Sequence, residues 1–342
     1  MIKLVVGYQI RIVTFILIHY PGDSLESHYG FKSMKILIIG GTRFQGKYLT
    51  QKLAPNHSVT VFHRGVTPLA CDVEEVLGDR NNGSDLDQLR WRQFDCVVDT
   101  CGYLPYQLKA TTELFRGFID KYIFVSTGMV YEEGGRSCDE SAEIKRLKDW
   151  RAVELSEETY GALKGHCEDI VKESFPDNHL IFRPSVIIGP GDHTERLNFW
   201  VRQISLGRVI CPSKRIPLHL VDVDDLTTFY RKSLEIGLTG TYNLSSYNLT
   251  LKEMLTEISH SIDREVKFVY PGASAFESRG IDIDKIPLVT PELQNIDDSL
   301  ARMNGFVSKP LWKSGEQVLL SIEKGGSRDS FYEDYMRKFD SL

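Results

Sequence analysis

The stretch Lys35-Ile-Leu-Ile-Ile-Gly-Gly-Thr-Arg-Phe-Gln-Gly46 constrains this chain more than any other. Residues 35–39 are an apolar run long enough for a buried strand. Gly40, Gly41 and Gly46 punctuate a turn, and Phe44, Tyr48, Leu49 and Leu53 follow at helical spacing. Strand, glycine turn and helix in that order form the context of a dinucleotide site. Gly40 allows the tight turn, Gly46 lets the helix pack closely on the strand, and the free N–H groups of the helix face a pyrophosphate. Arg43 stands where a middle glycine is usual. Its side chain either crowds the pyrophosphate or pairs with a phosphate through the guanidinium. Taken alone, the stretch also fits a tight turn that binds nothing.

A second strand, Ser58–Phe62, ends at His63-Arg64-Gly65. In a fold of this kind an acid there accepts from the adenosine ribose, whereas an arginine accommodates a 2′-phosphate. Arg64 therefore favours NADP over NAD; the competing reading is a solvated loop arginine. Further strands are expected at 73–77, 94–99 and 122–125. Helices are expected at 85–91 and at 107–119, with Leu108, Leu114, Phe115 and Phe118 on one apolar face. Repeated βαβ units imply a parallel sheet with helices on both faces, and ligands beyond the carboxyl ends of its strands. Gly40, Arg64, Asp79, Thr100 and Thr127 all fall there. A polar loop spans 132–150 and contains Gly134-Gly135. Beyond it the pattern predicts a helix at 156–174 and a strand at 179–183. A helix at 198–206, a strand at 218–221, a helix at 224–236 and a strand at 241–244 follow, then a helix at 250–262 with Thr250 as its cap. The tail from about 265 is less regular, with Pro310-Leu-Trp312 and a helix at 315–322.

Composition narrows the class. The 342 residues suit one large or two closely joined domains, and 42% hydrophobic with 26% charged residues is globular. A net charge of −6 without a long basic run argues against a general nucleic-acid surface. The six cysteines show no C-x-x-C pair and no zinc-ligand spacing, so they read as thiols of a cytoplasmic protein and no metal site is expected. Leu4–Ile18 is apolar but interrupted by Gln9 and Arg11, too short for a membrane span and without a cleavage site. Residues 1–33 read either as an extension ahead of a domain that starts at Met34, or as a membrane or partner anchor.

Tyr160 and Lys164 are four apart and share one helix face. A free tyrosine is a poor base at neutral pH. A neighbouring ammonium lowers its pKa and makes the pair a proton-transfer device. Thr127, at the carboxyl end of the fifth strand, adds a hydroxyl for a substrate oxygen. Together the three would surround a carbonyl or carbinol, with hydride handled by a nicotinamide cofactor.

From Met34 to about residue 250 the chain resembles the extended short-chain dehydrogenase/reductase superfamily, the NAD-dependent epimerase/dehydratase family. The resemblance is carried by Gly-Gly-Thr-Arg-Phe-Gln-Gly46, Gly78-Asp79, Val125-Ser-Thr-Gly-Met-Val-Tyr131, Tyr160-x-x-x-Lys164, Arg183-Pro-Ser-Val-Ile-Ile-Gly-Pro190, His219-Leu-Val-Asp-Val-Asp-Asp-Leu226 and Tyr242-Asn-Leu244. It implies a doubly wound α/β Rossmann domain over 34–185. A smaller C-terminal substrate domain over 186–342 would complete it, with segments around 218–245 returning to the first. By position it makes Thr127 the active-site hydroxyl, Tyr160 the acid/base and Lys164 the ribose-binding lysine. Gly40, Thr42, Arg43, Phe44, Gly46 and Thr100 would line the cofactor. Asp79 would contact its adenine, and Pro184 and Ser185 would flank the nicotinamide. The Gly-Gly-Thr-Arg-Phe form resembles a branch that includes chloroplast stem-loop RNA-binding proteins. Sugar 4,6-dehydratases of the superfamily place Asp-Glu after the threonine; Gly128-Met129 here argues against that mechanism. Tyr160 argues against isoflavone-type reductases.

On the substrate side, His193, Arg196, Trp200 and Arg215 are candidates, with an arginine for a nucleotide-sugar diphosphate. The competing reading buries Trp200 and leaves the arginines solvated. The expected function is an NAD(P)-dependent oxidoreductase or epimerase acting on a hydroxyl or carbonyl, of a nucleotide sugar among other small molecules. The alternative is a non-catalytic scaffold that binds RNA or regulates a partner. A homodimer through the 107–119 and 156–174 helices is a further expectation.

Overall fold

The computed structural model describes residues 32–132, 137–213, 215–289, 295–324 and 330–339. The Leu4–Ile18 stretch and Gly134-Gly135 lie outside them. The chain begins β1 (Lys35–Ile39), α1 (Phe44–Leu53), β2 (Ser58–His63), β3 (Glu74–Leu77), α2 (Gly83–Asp87), β4 (Cys96–Asp99), α3 (Pro105–Phe115) and β5 (Lys121–Val125). It continues β6 (Ser137–Cys138), α4 (Glu157–Ser174), β7 (His179–Pro184), β8 (Val186–Ile188), α5 (Arg196–Ser205), β9 (Arg208–Ile210), β10 (Pro217–Asp222), α6 (Val223–Glu235) and β11 (Gly240–Leu244). Last come β12 (Tyr247–Thr250), α7 (Leu251–Ser261), β13 (Lys267–Val269), α8 (Ala273–Glu277), β14 (Asn295–Ile296), α9 (Ser299–Met303), α10 (Leu311–Glu323) and α11 (Ser330–Lys338).

Among these residues, seven strands form one parallel sheet in the order β11-β7-β5-β4-β1-β2-β3. The order reverses between β1 and β4, and a doubly wound sheet opens its ligand crevice at that switch point. The inner strands are buried along their length (burial of β4 is complete), as strands covered on both faces must be. On one face, Leu49 and Leu53 of α1 and Leu226, Phe229, Tyr230 and Leu234 of α6 pack on Ile36, Ile38, Val59 and Val61. On the other, Leu108 and Phe115 of α3 and Cys167 and Val171 of α4 pack on Leu37, Val97 and Phe124. Each such fully buried side chain contributes about 1.5–3 kcal/mol. The apolar face expected over 107–119 stops early. α3 ends at Phe115 because Arg116 leaves the helical region (φ −58°, ψ 121°) and Gly117 follows at φ 80°, and Phe118 is left exposed.

The C-terminal elements build a second core around Phe199, Trp200, Met254, Ile258, Phe276 and Tyr335. Trp200 is fully buried and its indole donates to the Pro287 carbonyl at 2.8 Å, so it is a core residue and not a substrate contact. α6 and β11 return to the large sheet, but β10 does not. It pairs with β8 and β12 in a three-stranded sheet. The two sheets join where β7 runs into β8, with the Ser185 amide on the Leu244 carbonyl and the Ser246 amide on the Leu220 carbonyl. Asp222, Asp224 and Asp225 bring their carboxylates together at the start of α6. The Lys309 ammonium is 2.7, 3.6 and 3.8 Å from them, while Lys52 pairs with Asp224 at 2.6 Å. The two ammonium groups offset most of the charge of the three carboxylates, and the contacts pin residue 309 to α6.

Candidate active site

The glycine turn closes as its sequence predicts. Gly40 and Gly41 hold φ of 106° and 87°, which side chains rarely adopt. A Cβ on Gly46 would lie 2.7 Å from the Gly41 amide nitrogen, so only glycine lets α1 approach β1 this closely. Phe44, the first residue of α1, is held at φ 37°, a strained conformation for a bulky residue of the kind concentrated at ligand sites. No side chain caps α1 and no acid stands in its first turn. The N-terminal amides are therefore left to an anion, and this cradle fits a pyrophosphate. Thr42 is half-buried in the turn and Arg43 exposed on it. Thr100 donates its hydroxyl to the Ile39 carbonyl at 3.0 Å, tying the end of β4 beneath the turn.

Along the same carboxyl edge, Arg64 is exposed just past β2. Asp79 is half-buried past β3, its Oδ1 accepting from the amide and Nδ2 of Asn81 at 2.8 and 2.9 Å. Asp99 ends β4 and takes a two-pronged contact from the Arg80 guanidinium at 2.7 and 2.8 Å, with the Tyr122 hydroxyl at 3.0 Å. Glu168 of α4 holds Arg183 of β7 the same way, at 2.9 and 2.6 Å. Both buried pairs brace the edge from below. Neither role was read from the sequence, although an acid closing an apolar strand, as Asp99 does, is a signal that could have marked one.

Thr127, Tyr160 and Lys164 come together at the end of β5. The Ser156 cap starts α4 one turn before Tyr160 and sets its face. The Thr127 hydroxyl is near enough to act on the Tyr160 phenol. Burial pushes the Tyr160 phenol up to about 12; Tyr103 adds to this, and the Thr127 hydroxyl and the Arg196 charge pull it back. This corrects the sequence expectation of a phenol lowered by Lys164. Lys164 is only 2% exposed, and its ammonium donates to the carbonyls of Gly102 at 2.8 Å and Val125 at 2.6 Å. It ties the ends of β4 and β5 together beneath Tyr160. Burial drives its pKa down to about 8, against the pull of Cys167, Asp99 and Glu168.

That shift has a measurable sign. A lysine whose folded pKa lies below its ordinary value binds fewer protons folded than unfolded, so its contribution to stability rises as pH climbs from about 8 to 10.5. Between pH 7 and 11 the wild type should gain roughly 3 kcal/mol of unfolding free energy relative to Lys164→Met. Urea denaturation of both proteins at the two pH values measures it; a difference that stays constant refutes it.

Pro184 ends β7, and its carbonyl would lie 3.3 Å from a Cβ on Gly128, so it borders the loop after Thr127. A Cβ on Gly128 would also overlap the terminal methyl of Ile296, which would have to move to admit a side chain there. Ser185 follows with its hydroxyl buried. Arg196 borders Tyr160 and pairs with Asp192 at 3.4 Å, while His193 is exposed on the turn before it. Arg215 is not among them. It lines an open surface pocket with Thr250, Lys252, Glu253 and His260. Tyr103 is the site residue that sequence reasoning missed. Its ring centre lies 6.4 Å from that of Tyr160.

No family model matches the chain. A chloroplast stem-loop binding protein of 41 kDa from Arabidopsis thaliana is 27% identical over 235 residues, covering 62% of this chain and 58% of its own length. The chain thus spans little more than half of that relative. UDP-N-acetylglucosamine 4-epimerase from Bacillus cereus superposes with a TM-score of 0.63 at 17% identity, over 86% of this chain and 100% of its own. A UDP-glucose 4-epimerase gives 0.66 at 18%, over 86% and 100%. WbmG of Bordetella bronchiseptica, solved with NAD and UDP, gives 0.64 at 18%, over 86% and 96%. The chain thus shares the fold of these epimerases, a doubly wound parallel sheet with a smaller C-terminal part. Among the described residues no helix is long and apolar enough to cross a membrane.

Proposed function

We propose that the chain is a nicotinamide-dependent epimerase or oxidoreductase acting on a carbinol or carbonyl, with a nucleotide sugar as its substrate class. The meeting of Thr127 and Tyr160 at the end of β5 carries this reading, because it stands on the same sheet edge as the glycine cradle. Gly40, Gly41 and Gly46 with the α1 amides would hold the pyrophosphate, and Arg43 would pair with a phosphate. Asp79 would meet the adenine, and Pro184 and Ser185 the nicotinamide end. When bound, the nicotinamide supplies a hydride acceptor or donor. With its pKa near 12, Tyr160 is protonated at neutral pH. It therefore donates to a substrate oxygen as a carbonyl becomes a carbinol, and takes the proton back in reverse. Thr127 orients that oxygen, Lys164 fixes the strand ends beneath, and Arg196 with its positive charge faces the substrate's anionic part.

Arg64 favours NADP, since an exposed guanidinium at the end of β2 pairs with a 2′-phosphate. Calorimetric titration with NADPH and NADH tests both points. Binding of NADPH, weakened about tenfold in Arg64→Ala, is the expected result. Tight NADH binding would reverse the cofactor preference. Conversion of UDP-glucose, UDP-N-acetylglucosamine or UDP-glucuronic acid, followed by proton NMR, tests the substrate class. Binding of neither dinucleotide would sink the enzyme reading. The Arabidopsis relative supplies the second reading, a scaffold for structured RNA, which salt-dependent binding to a stem-loop would then support.

A further inference from the structure

The loop after β4 is tied down at nearly every residue. Thr100 bonds Ile39, the Cys101 amide donates to Asp99 Oδ1 at 3.2 Å, and Gly102 accepts from Lys164. The amides of Tyr103 and Leu104 both donate to Gln107 Oε1, at 2.9 and 3.1 Å. A Cβ on Gly102 would press on Phe124 at 3.2 Å, so the backbone sits close against the sheet. From this fixed loop one large side chain projects. Tyr103 is 44% exposed, although its ring packs against Tyr160 and lies 5.6 Å from the Lys164 ammonium. Arg43 of the glycine turn is near enough for its charge to act on the Tyr103 phenol.

An aromatic ring held rigidly yet half open, between a phosphate cradle and a proton donor, has the form of a contact surface. We propose that Tyr103 is the aromatic wall of the cofactor site, holding the nicotinamide–ribose end of the dinucleotide between Arg43 and Tyr160. This rests on the dinucleotide reading above. The ring, and not the hydroxyl, makes the contact. Tyr103 is thereby a positioning residue: it sets where the nicotinamide lies relative to Tyr160.

The test is calorimetric, on the full chain, with the dinucleotide that the wild type binds and with the matching ADP-ribose, which lacks the nicotinamide. Tyr103→Ala should weaken the dinucleotide about tenfold and leave ADP-ribose within about twofold, and Tyr103→Phe should leave both within about twofold. Equal weakening of both ligands in Tyr103→Ala would mean a loosened loop and would overturn the proposal. So would unchanged dinucleotide affinity. A wild type that binds neither dinucleotide removes the enzyme reading and this inference with it, an outcome distinct from the other two.

Discussion

Tyr160→Phe should lower turnover by about 10²–10⁴-fold, the usual contribution of a positioned acid or base. Only the hydroxyl is lost, and the ring keeps its packing against Tyr103. Dinucleotide affinity should therefore hold within about twofold, because no contact to the cradle is touched. The measurement is a single-turnover assay beside a titration. Retained turnover would move the proton to another group. A joint loss of turnover and binding would mean that the phenol supports the cofactor and not the chemistry. The phenol's high pKa gives the pH dependence a direction. Carbonyl reduction needs the protonated phenol and should stay level through neutral pH, falling only as pH nears about 12. Carbinol oxidation needs the phenolate and should rise with pH over the same range.

Asp99→Ala should cost about 3–5 kcal/mol of unfolding free energy, the largest effect on stability expected of a single residue at this edge. Asp99 is fully buried and Arg80 nearly so, and the substitution leaves the guanidinium without a counter-charge. Burial alone would raise the Asp99 carboxyl; Arg80 outweighs it and holds it below the ordinary carboxylate value. A depressed carboxyl contributes stability above its unfolded pKa, near pH 4, and loses it as pH falls through the folded value. The variant's deficit should therefore be full at pH 7 and shrink in acid. Urea unfolding at both pH values measures it, and a loss below about 1 kcal/mol would show that water reaches Arg80.

The βαβ half of the fold was legible because its strands are apolar runs bounded by glycine and polar turns, as at 35–39 and 121–125. The missed strands β6, β8, β9, β13 and β14 have two or three residues each, too few to display a period. β12 hides in the Thr250 cap signal. Among site residues, the i, i+4 spacing placed Tyr160 and Lys164 on one face. Depth along that face is a tertiary quantity, and it decides the chemistry: Lys164 reaches the carbonyls of Gly102 and Val125 instead of setting the phenol's pKa. Arg215 was assigned from its position after α5, but β9 and β10 carry it to another surface. Tyr103 escaped notice because nothing local marks an exposed tyrosine four residues past the end of a strand.

The contact of Ile296 with Gly128 has a consequence for how the protein is made. β14 pairs with β6, and Asn243 binds the carbonyls of both Cys138 and Asp297. One wall of the loop after Thr127 is thus supplied by residues far down the chain. Synthesis proceeds from the N-terminus at about 5–20 residues per second, and early segments collapse first. On the ribosome, every segment made before Ile296 must wait with Gly128 uncovered until that residue emerges. Truncation ahead of that residue would not leave a smaller version of the same protein; it would leave a nascent sheet whose edge stays unfinished.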